Sequence, residues 1–185
     1  MRLPVDDQSE ATLIEQARAG DEAAFEELMR RYKRPVLNFV YRLLGNAEEA
    51  EDIAQEVFVR VYQNLRDYSP RTRFSTWLFA VARNAAIDRL RWRKRHPTQP
   101  LDSTPDPVTL IGVAEEVNAR EIGAQVTVAV AALPEDQRTA LVLAEYQGLS
   151  YAEIAEIMRC SEKSVESRLY RAKHALREKL RHLLD

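Results

Sequence analysis

The sequence predicts an all-α protein of two small helical domains joined by a proline-rich linker, the C-terminal domain carrying a helix-turn-helix. Three observations carry this. Apolar residues recur at three- and four-residue intervals along most of the 185 residues, the period of helices with one buried face. Only five glycines are present, and four of the eight prolines crowd into PTQPLDSTPDP at 97–107, an extended connection rather than a folded one. The stretch 148–180, GLSYAEIAEIMRCSEKSVESRLYRAKHALREKL, holds two helix starts eleven residues apart, at Ser150 and Ser161. Domains are expected at 8–96 and 115–184, with the linker at 97–114.

In chain order, a first helix is expected to start after Ser9 and to end at Gly20. Asp21 then caps a second, with Ala24, Phe25, Leu28 and Met29 on its buried side. Pro35 predicts a kink or break before Val36, Phe39, Val40, Leu43 and Leu44 resume the stripe, and Gly45 stops it. Asn46 with Glu49 forms a cap-and-box pair opening a helix to about Leu65. Its core stripe is Ala50, Ile53, Ala54, Val57, Val61 and Leu65. Phe58 and Tyr62 lie beside that stripe, next to Asp52, Gln55 and Glu56. Aromatics flanked by carboxylates are either core margin or a docking surface, and the pattern alone leaves both open.

A loop, RDYSPRTR, leads into a helix from Phe74 to about Arg95, roughly 33 Å long at the helical rise. Phe74, Trp77, Leu78, Val81 and Ala85 lie on its apolar side; Thr76, Arg83, Asn84, Ile87 and Arg91 lie towards another. Rings at the start of a helix that turns strongly basic suit nucleic acid, stacking on bases while arginines hold phosphates. The commoner fate of such rings is plain core. The second domain begins with a helix through Ala132. It resumes after LPEDQR with Pro134 as a first-turn proline and stops at Gly148.

Ser150 and Glu153 form a capping box for a helix through Met158 that buries Ile154, Ala155 and Met158. Arg159, Cys160 and Ser161 leave room only for a tight turn. The helix after Ser161 buries Val165, Leu169, Ala172, Leu176 and Leu180 and meets no Gly or Pro before the chain ends. Lys163, Ser164, Glu166, Ser167, Arg168, Tyr170 and Arg171 then point away from the stripe. Such a helix fits the major groove of B-DNA. Seven basic residues against Glu166 and Glu178 between 163 and 181 favour DNA over a merely solvated αα-hairpin.

Lys and Arg number 27 against 29 Asp and Glu, for a net charge of −2, which is unusual for a protein that grips DNA unaided. The charge is segregated. Glu48, Glu49, Glu51, Asp52 and Glu56 form a block without a base, whereas Arg83, Arg89, Arg91, Arg93, Lys94 and Arg95 are opposed only by Asp88. One acidic face and two basic helices suggest DNA binding alongside a larger, positively charged partner. The single cysteine, Cys160, excludes an internal disulfide and reads as a small buried hydrophobe. His96, His174 and His182 do not cluster with it, so neither a metal site nor a cofactor is implied. No apolar run reaches the length of a membrane span, and MRLPVDDQSE lacks an apolar signal core, so no membrane insertion and a cytoplasmic location are expected.

The segments GDEAAFEELMRRY, AEDIAQEVFVRVYQNL, FSTWLFAVARNAAIDRLR, LPEDQRTALVLAEYQGLSYAEIA and SVESRLYRAKHAL, in that order, resemble the extracytoplasmic-function (ECF) group of bacterial sigma factors. The short linker leaves no room for the additional middle domain of housekeeping sigma factors. The resemblance implies a subunit that binds core RNA polymerase, directs promoter-specific initiation, catalyses nothing itself and is usually held by an anti-sigma factor. Asp52, Gln55, Glu56, Phe58 and Tyr62 would dock the clamp coiled coil of the largest polymerase subunit. Tyr68, Phe74, Ser75, Thr76, Trp77, Arg83, Asn84 and Arg91 would recognise and open the −10 element, with a pocket in the 67–74 loop for an unstacked base and Arg89 and Arg93 also on the backbone. In the −35 element, Ser164, Ser167 and Arg171 would lie nearest base edges, and Lys163 and Arg168 on phosphates. Glu166 departs from relatives that carry a base there. A carboxylate can accept from a cytosine amino group, which changes the expected −35 sequence. The linker would run through the polymerase channel toward RNA exit.

Two other readings are weaker. SEKSVESRLYRA also resembles the helix-turn-helix of LuxR-type regulators, but residues 1–96 lack the strands and strand-end aspartate of a phosphoreceiver. An enzyme using the Glu48–Glu56 carboxylates lacks a partner base, a metal ligand set and a pocket-forming fold signal.

Overall fold

The computed structural model describes residues 7–96 and 117–183. The linker expected at 97–114 lies outside the described residues, as do residues 115, 116 and 184. Among the described residues every regular element is helical.

Helix α1 (Asp7–Arg18) begins three residues before the expected start after Ser9. Gly20 closes it at φ 98°, a left-handed conformation natural to glycine. Helix α2 (Glu22–Leu44) is capped by Asp21, whose carboxylate accepts from the Ala24 N–H at 3.1 Å. It runs through Pro35 without the expected break. Proline inside a helix costs about 3 kcal/mol. Leu28 and Tyr32 before it, and Val36, Phe39 and Val40 after it, are fully or nearly fully buried on one face. Burying one such side chain is worth ~1.5–3 kcal/mol, so packing on both flanks outweighs the lost hydrogen bond. Gly45 ends the helix in the left-handed region, donating its N–H to Tyr41 O.

Helix α3 (Ala47–Asn64) starts under Asn46, whose side chain accepts from the Glu49 N–H at 2.9 Å. Only that half of the expected box forms. The Glu49 carboxylate turns instead to helix α4 (Phe74–Arg95), where Arg89 and Arg93 reach it at 3.1 and 3.4 Å. A 3₁₀ turn at Leu65–Asp67 follows α3. Helices α1, α3 and α4 all pack on α2, enclosing Leu28, Phe39, Val57, Val61, Leu78, Phe79 and Ala82.

The second module comprises α5 (Val117–Ala131), α6 (Glu135–Leu141), α7 (Tyr151–Met158) and α8 (Glu162–Lys179). Pro134 is the N-cap of α6 rather than its first residue. A π-helical turn at Val142–Tyr146 extends α6, and nothing in LVLAEYQG signals it. Both halves of the Ser150–Glu153 box are present, and Ser161 accepts from the Ser164 N–H at 3.2 Å. The turn between α7 and α8 takes its sharpness from Arg159 at φ 51°. Leu176 and Leu180 are half-buried rather than core, and α8 gives way at Leu180 to a 3₁₀ turn.

The two modules pack together, α4 against α7 and α2 against α5. Arg42 lies over the Tyr146 ring, 3.7 Å from its centroid. Glu153 of α7 reaches Thr76 at 3.5 Å and Arg73 at 3.6 Å, and Lys94 lies 3.8 Å from Glu135.

Candidate promoter and polymerase interfaces

On α3, Asp52, Gln55 and Glu56 are exposed and Phe58 is half-buried. Tyr62 is 57% exposed, its ring edge-on to Phe25 at 4.9 Å. Glu56 pairs with Arg60 one turn on. Helical spacing puts positions 52, 55, 56, 59 and 62 on one face, which adds Val59, 55% exposed. Val59 was missed in the sequence because it belongs to no stripe; an apolar residue stranded on the polar face was the available signal. Carboxylates rimming exposed apolar groups suit a basic partner surface.

The start of α4 is built differently. Tyr68 and Phe74 are core, 5% and 1% exposed, and Trp77 is half-buried. Tyr68 meets Phe74 edge-on at 5.6 Å and Trp77 at a tilt at 5.2 Å. Its hydroxyl donates to Thr72 O at 2.6 Å, and burial pushes its pKa up. Ser75 is buried, and Thr76 is 1% exposed beneath Glu153. Of the side of α4 read as carrying Thr76, Arg83, Asn84, Ile87 and Arg91, Thr76 and Ile87 are buried while Asn84 and Arg91 are exposed; Thr76 meets Glu153 of α7, which lies against α4. Burial alone would raise the Glu153 pKa. The Ser150 N–H and hydroxyl, with Arg73 and Thr76, outweigh it and hold the carboxyl below its ordinary value.

Along the rest of α4, Asn84 is exposed and Arg83 half-buried, with Arg83 Nη1 3.3 Å from Asn84 Oδ1. Arg91 is exposed, 3.8 Å from Asp88. Arg89 and Arg93 are engaged: both hold Glu49, and Arg93 also donates to Leu44 O at 3.0 Å. In this arrangement they fasten α4 to α3.

On α8, Lys163, Glu166, Ser167, Tyr170 and Arg171 are exposed, Tyr170 by 72%, while Ser164 is half-buried. The Ser167 hydroxyl donates back to Lys163 O. Tyr151, Glu166, Ser167, Tyr170, Arg171 and Lys173 line an open groove of about 610 Å³. Arg168 is committed elsewhere: it pairs with Asp136 of α6 at 3.0 Å and approaches Cys160 Sγ at 3.0 Å. Cys160 is correspondingly half-buried. Arg168 thus braces the helix-turn-helix, a role that spacing along α8 does not reveal because its partner is on α6.

A helical chain in two modules, one of them a fully capped helix-turn-helix, is by class a DNA-reading protein. The sigma-70 region 2 family matches residues 28–96 and the sigma-70 region 4 family residues 124–176. The RNA polymerase sigma-H factor of Pseudomonas aeruginosa is 35% identical over 181 residues, covering 93% of this chain and 94% of that protein. The ECF RNA polymerase sigma factor SigW of Bacillus subtilis is 36% identical, covering 92% of this chain and 96% of its own. Among solved structures, CnrH in complex with the cytosolic domain of CnrY is 25% identical with a TM-score of 0.73, covering 94% of this chain and 98% of CnrH. The chain belongs to the ECF group of RNA polymerase sigma factors. It is thus a regulatory subunit that directs transcription initiation, and the LuxR-type alternative is not favoured.

Proposed function

We propose that the α3 face formed by Asp52, Gln55, Glu56, Phe58, Val59 and Tyr62 docks on core RNA polymerase, that the 66–73 loop with the start of α4 reads and opens the −10 element, and that the exposed side of α8 reads the −35 element. The observation that carries this is the separation of surfaces. An acidic–aromatic face, a basic helix and a capped recognition helix each occupy a different exposed part of one chain. No helix among the described residues is long and apolar enough to cross a membrane; membership of the sigma-factor family is what supports a cytoplasmic location. The chain contributes recognition and strand opening and leaves chemistry to the polymerase. Domain limits of 8–96 and 115–184 accommodate both family matches.

Within this reading the −10 residues have unequal parts. Trp77, Asn84, Arg83 and Arg91 are at least partly accessible, while Tyr68 and Phe74 shape the loop from beneath. Thr76 comes into play only when α7 leaves α4, so promoter opening requires the modules to part. An anti-sigma factor that holds them together would silence the chain; the CnrH relative is solved with the cytosolic domain of another protein, CnrY. On α8, Ser164, Ser167 and Arg171 face base edges, Lys163 a phosphate, and Glu166 and Tyr170 the groove wall.

Arg171→Ala tests the α8 assignment. Arg171 is exposed and outside the core, so its loss should leave folding intact. It should weaken closed-complex formation about tenfold on a promoter with its −35 element, the scale of one bidentate arginine–guanine contact. An equal loss on −35-scrambled templates, measured by filter binding of holoenzyme, would reject that role.

A further inference from the structure

The loop between α3 and α4 carries Ser-Pro and three arginines, yet the structure gives it one backbone arrangement through contacts that begin far away in sequence. Glu10 of α1 is 7% exposed, a carboxyl placed in the interior. Its Oε1 accepts from the Tyr32 hydroxyl at 2.5 Å. The Tyr32 ring meets Phe74 edge-on at 5.4 Å. Phe74 meets Tyr68 at 5.6 Å, and both meet Trp77. The Tyr68 hydroxyl then fixes the loop by donating to Thr72 O at 2.6 Å. A second tie runs from the same helix, where Arg18 Nη2 reaches Arg66 O at 3.5 Å. Burial and the Glu10 hydrogen bond raise the Tyr32 pKa, keeping its hydroxyl a donor.

A buried carboxyl is costly to maintain in a largely apolar core, and among the described residues of this module Glu10 is the one buried acid. It fixes the Tyr32 ring in one rotamer, and through the ring contacts it fixes the other three. Apolar packing alone would leave the loop backbone free to shift. Two hydroxyls that must each meet a single acceptor remove that freedom.

We propose that Glu10, Tyr32 and Tyr68 are positioning residues for −10 opening: the Glu10–Tyr32 hydrogen bond and the ring lattice hold Tyr68 so that its hydroxyl sets the Thr72 carbonyl and the shape of the 66–73 loop. None of the three touches DNA. The proposal rests on the reading of that loop as the −10 element's receptor, and the test separates the two.

Full-length chain is assembled with core polymerase on a promoter selected for this holoenzyme, carrying 2-aminopurine in the −10 non-template strand. Opening is followed by fluorescence at saturating holoenzyme, together with core affinity, −35-dependent closed-complex formation and thermal midpoint. Tyr68→Phe keeps every ring contact and loses one hydrogen bond; Glu10→Gln keeps an acceptor for Tyr32, whereas Glu10→Ala does not. Tyr68→Phe and Glu10→Ala should each slow opening about fivefold or more, the scale of one hydrogen bond. Core affinity and closed complex should stay at wild-type values, and Glu10→Gln should restore opening. Wild-type opening in either Tyr68→Phe or Glu10→Ala would overturn the proposal, as would a slowing matched by lost core affinity. A double variant of the exposed loop residues, Asp67→Ala with Arg71→Ala, reports on the underlying reading. If it opens promoters normally, the loop is not the −10 receptor and both fall. If it is slow while Tyr68→Phe is not, only the positioning role falls.

Discussion

Replacing Asp52, Gln55 and Glu56 together by alanine should weaken association with core RNA polymerase by at least about a hundredfold, while helix content and thermal midpoint stay close to wild type. All three side chains are exposed, so no core contact is lost, and alanine is the better helix former at each position. Glu56 also gives up its pair with Arg60, but an exposed pair of this kind contributes well under about 1 kcal/mol. Binding is another matter. Central interface residues commonly cost about 2 kcal/mol or more apiece on truncation, and carboxylates facing basic groups also raise the encounter rate. Val59 and Tyr62 supply the apolar centre of the same face, 55% and 57% exposed. Sedimentation or fluorescence anisotropy with purified core polymerase measures the loss. Undiminished affinity would remove α3 from the interface.

The second large effect concerns the contact between the modules. Cysteines at Arg73 and Glu153, with Cys160 replaced by alanine, allow a short cleavable bis-maleimide to tie the start of α4 to α7. The Arg73 and Glu153 side chains lie 3.6 Å apart, and Arg73 is exposed. Tied in this way, the chain should lose −10 opening almost entirely, because Thr76 stays covered. Cleaving the tether should restore it. The same pair of cysteines without cross-linker controls for the lost Glu153 cap, worth about 1 kcal/mol to α7. Permanganate reactivity of the −10 thymines is the readout. Full reactivity with the tether intact would mean that α4 opens DNA without leaving α7.

Much of this architecture was legible because helix ends write themselves locally. Asp21, Asn46, Ser150 and Ser161 each cap the helix that sequence assigned to them, and Gly45 stops α2 where expected. Local chemistry also set the limits. Pro35 argued for a kink or break, but the burial that carries α2 through it comes from α1, α3 and α4, which no window around residue 35 contains. Glu49 looked like half of a box, and two arginines forty residues away claimed it. The same distance effect gave Arg89, Arg93 and Arg168 ion-pair partners on other helices that no local window contains. Thr76 lay off the apolar side of its helix in sequence, and only the docking of α7 on α4 shows why it is buried. Surfaces that point outward, on α3 and α8, were the most readable of all, since their composition is not decided by a distant neighbour.

The account stands or falls on whether these separate surfaces read two promoter elements only when mounted together on polymerase. Footprinting on promoters with correct and altered −10 to −35 spacing tests this most directly, with the chain alone and with core enzyme. Protection of both elements should require core polymerase, and should collapse when the spacing changes by a few base pairs. Tight, spacing-independent protection of a single site by the chain alone would contradict it.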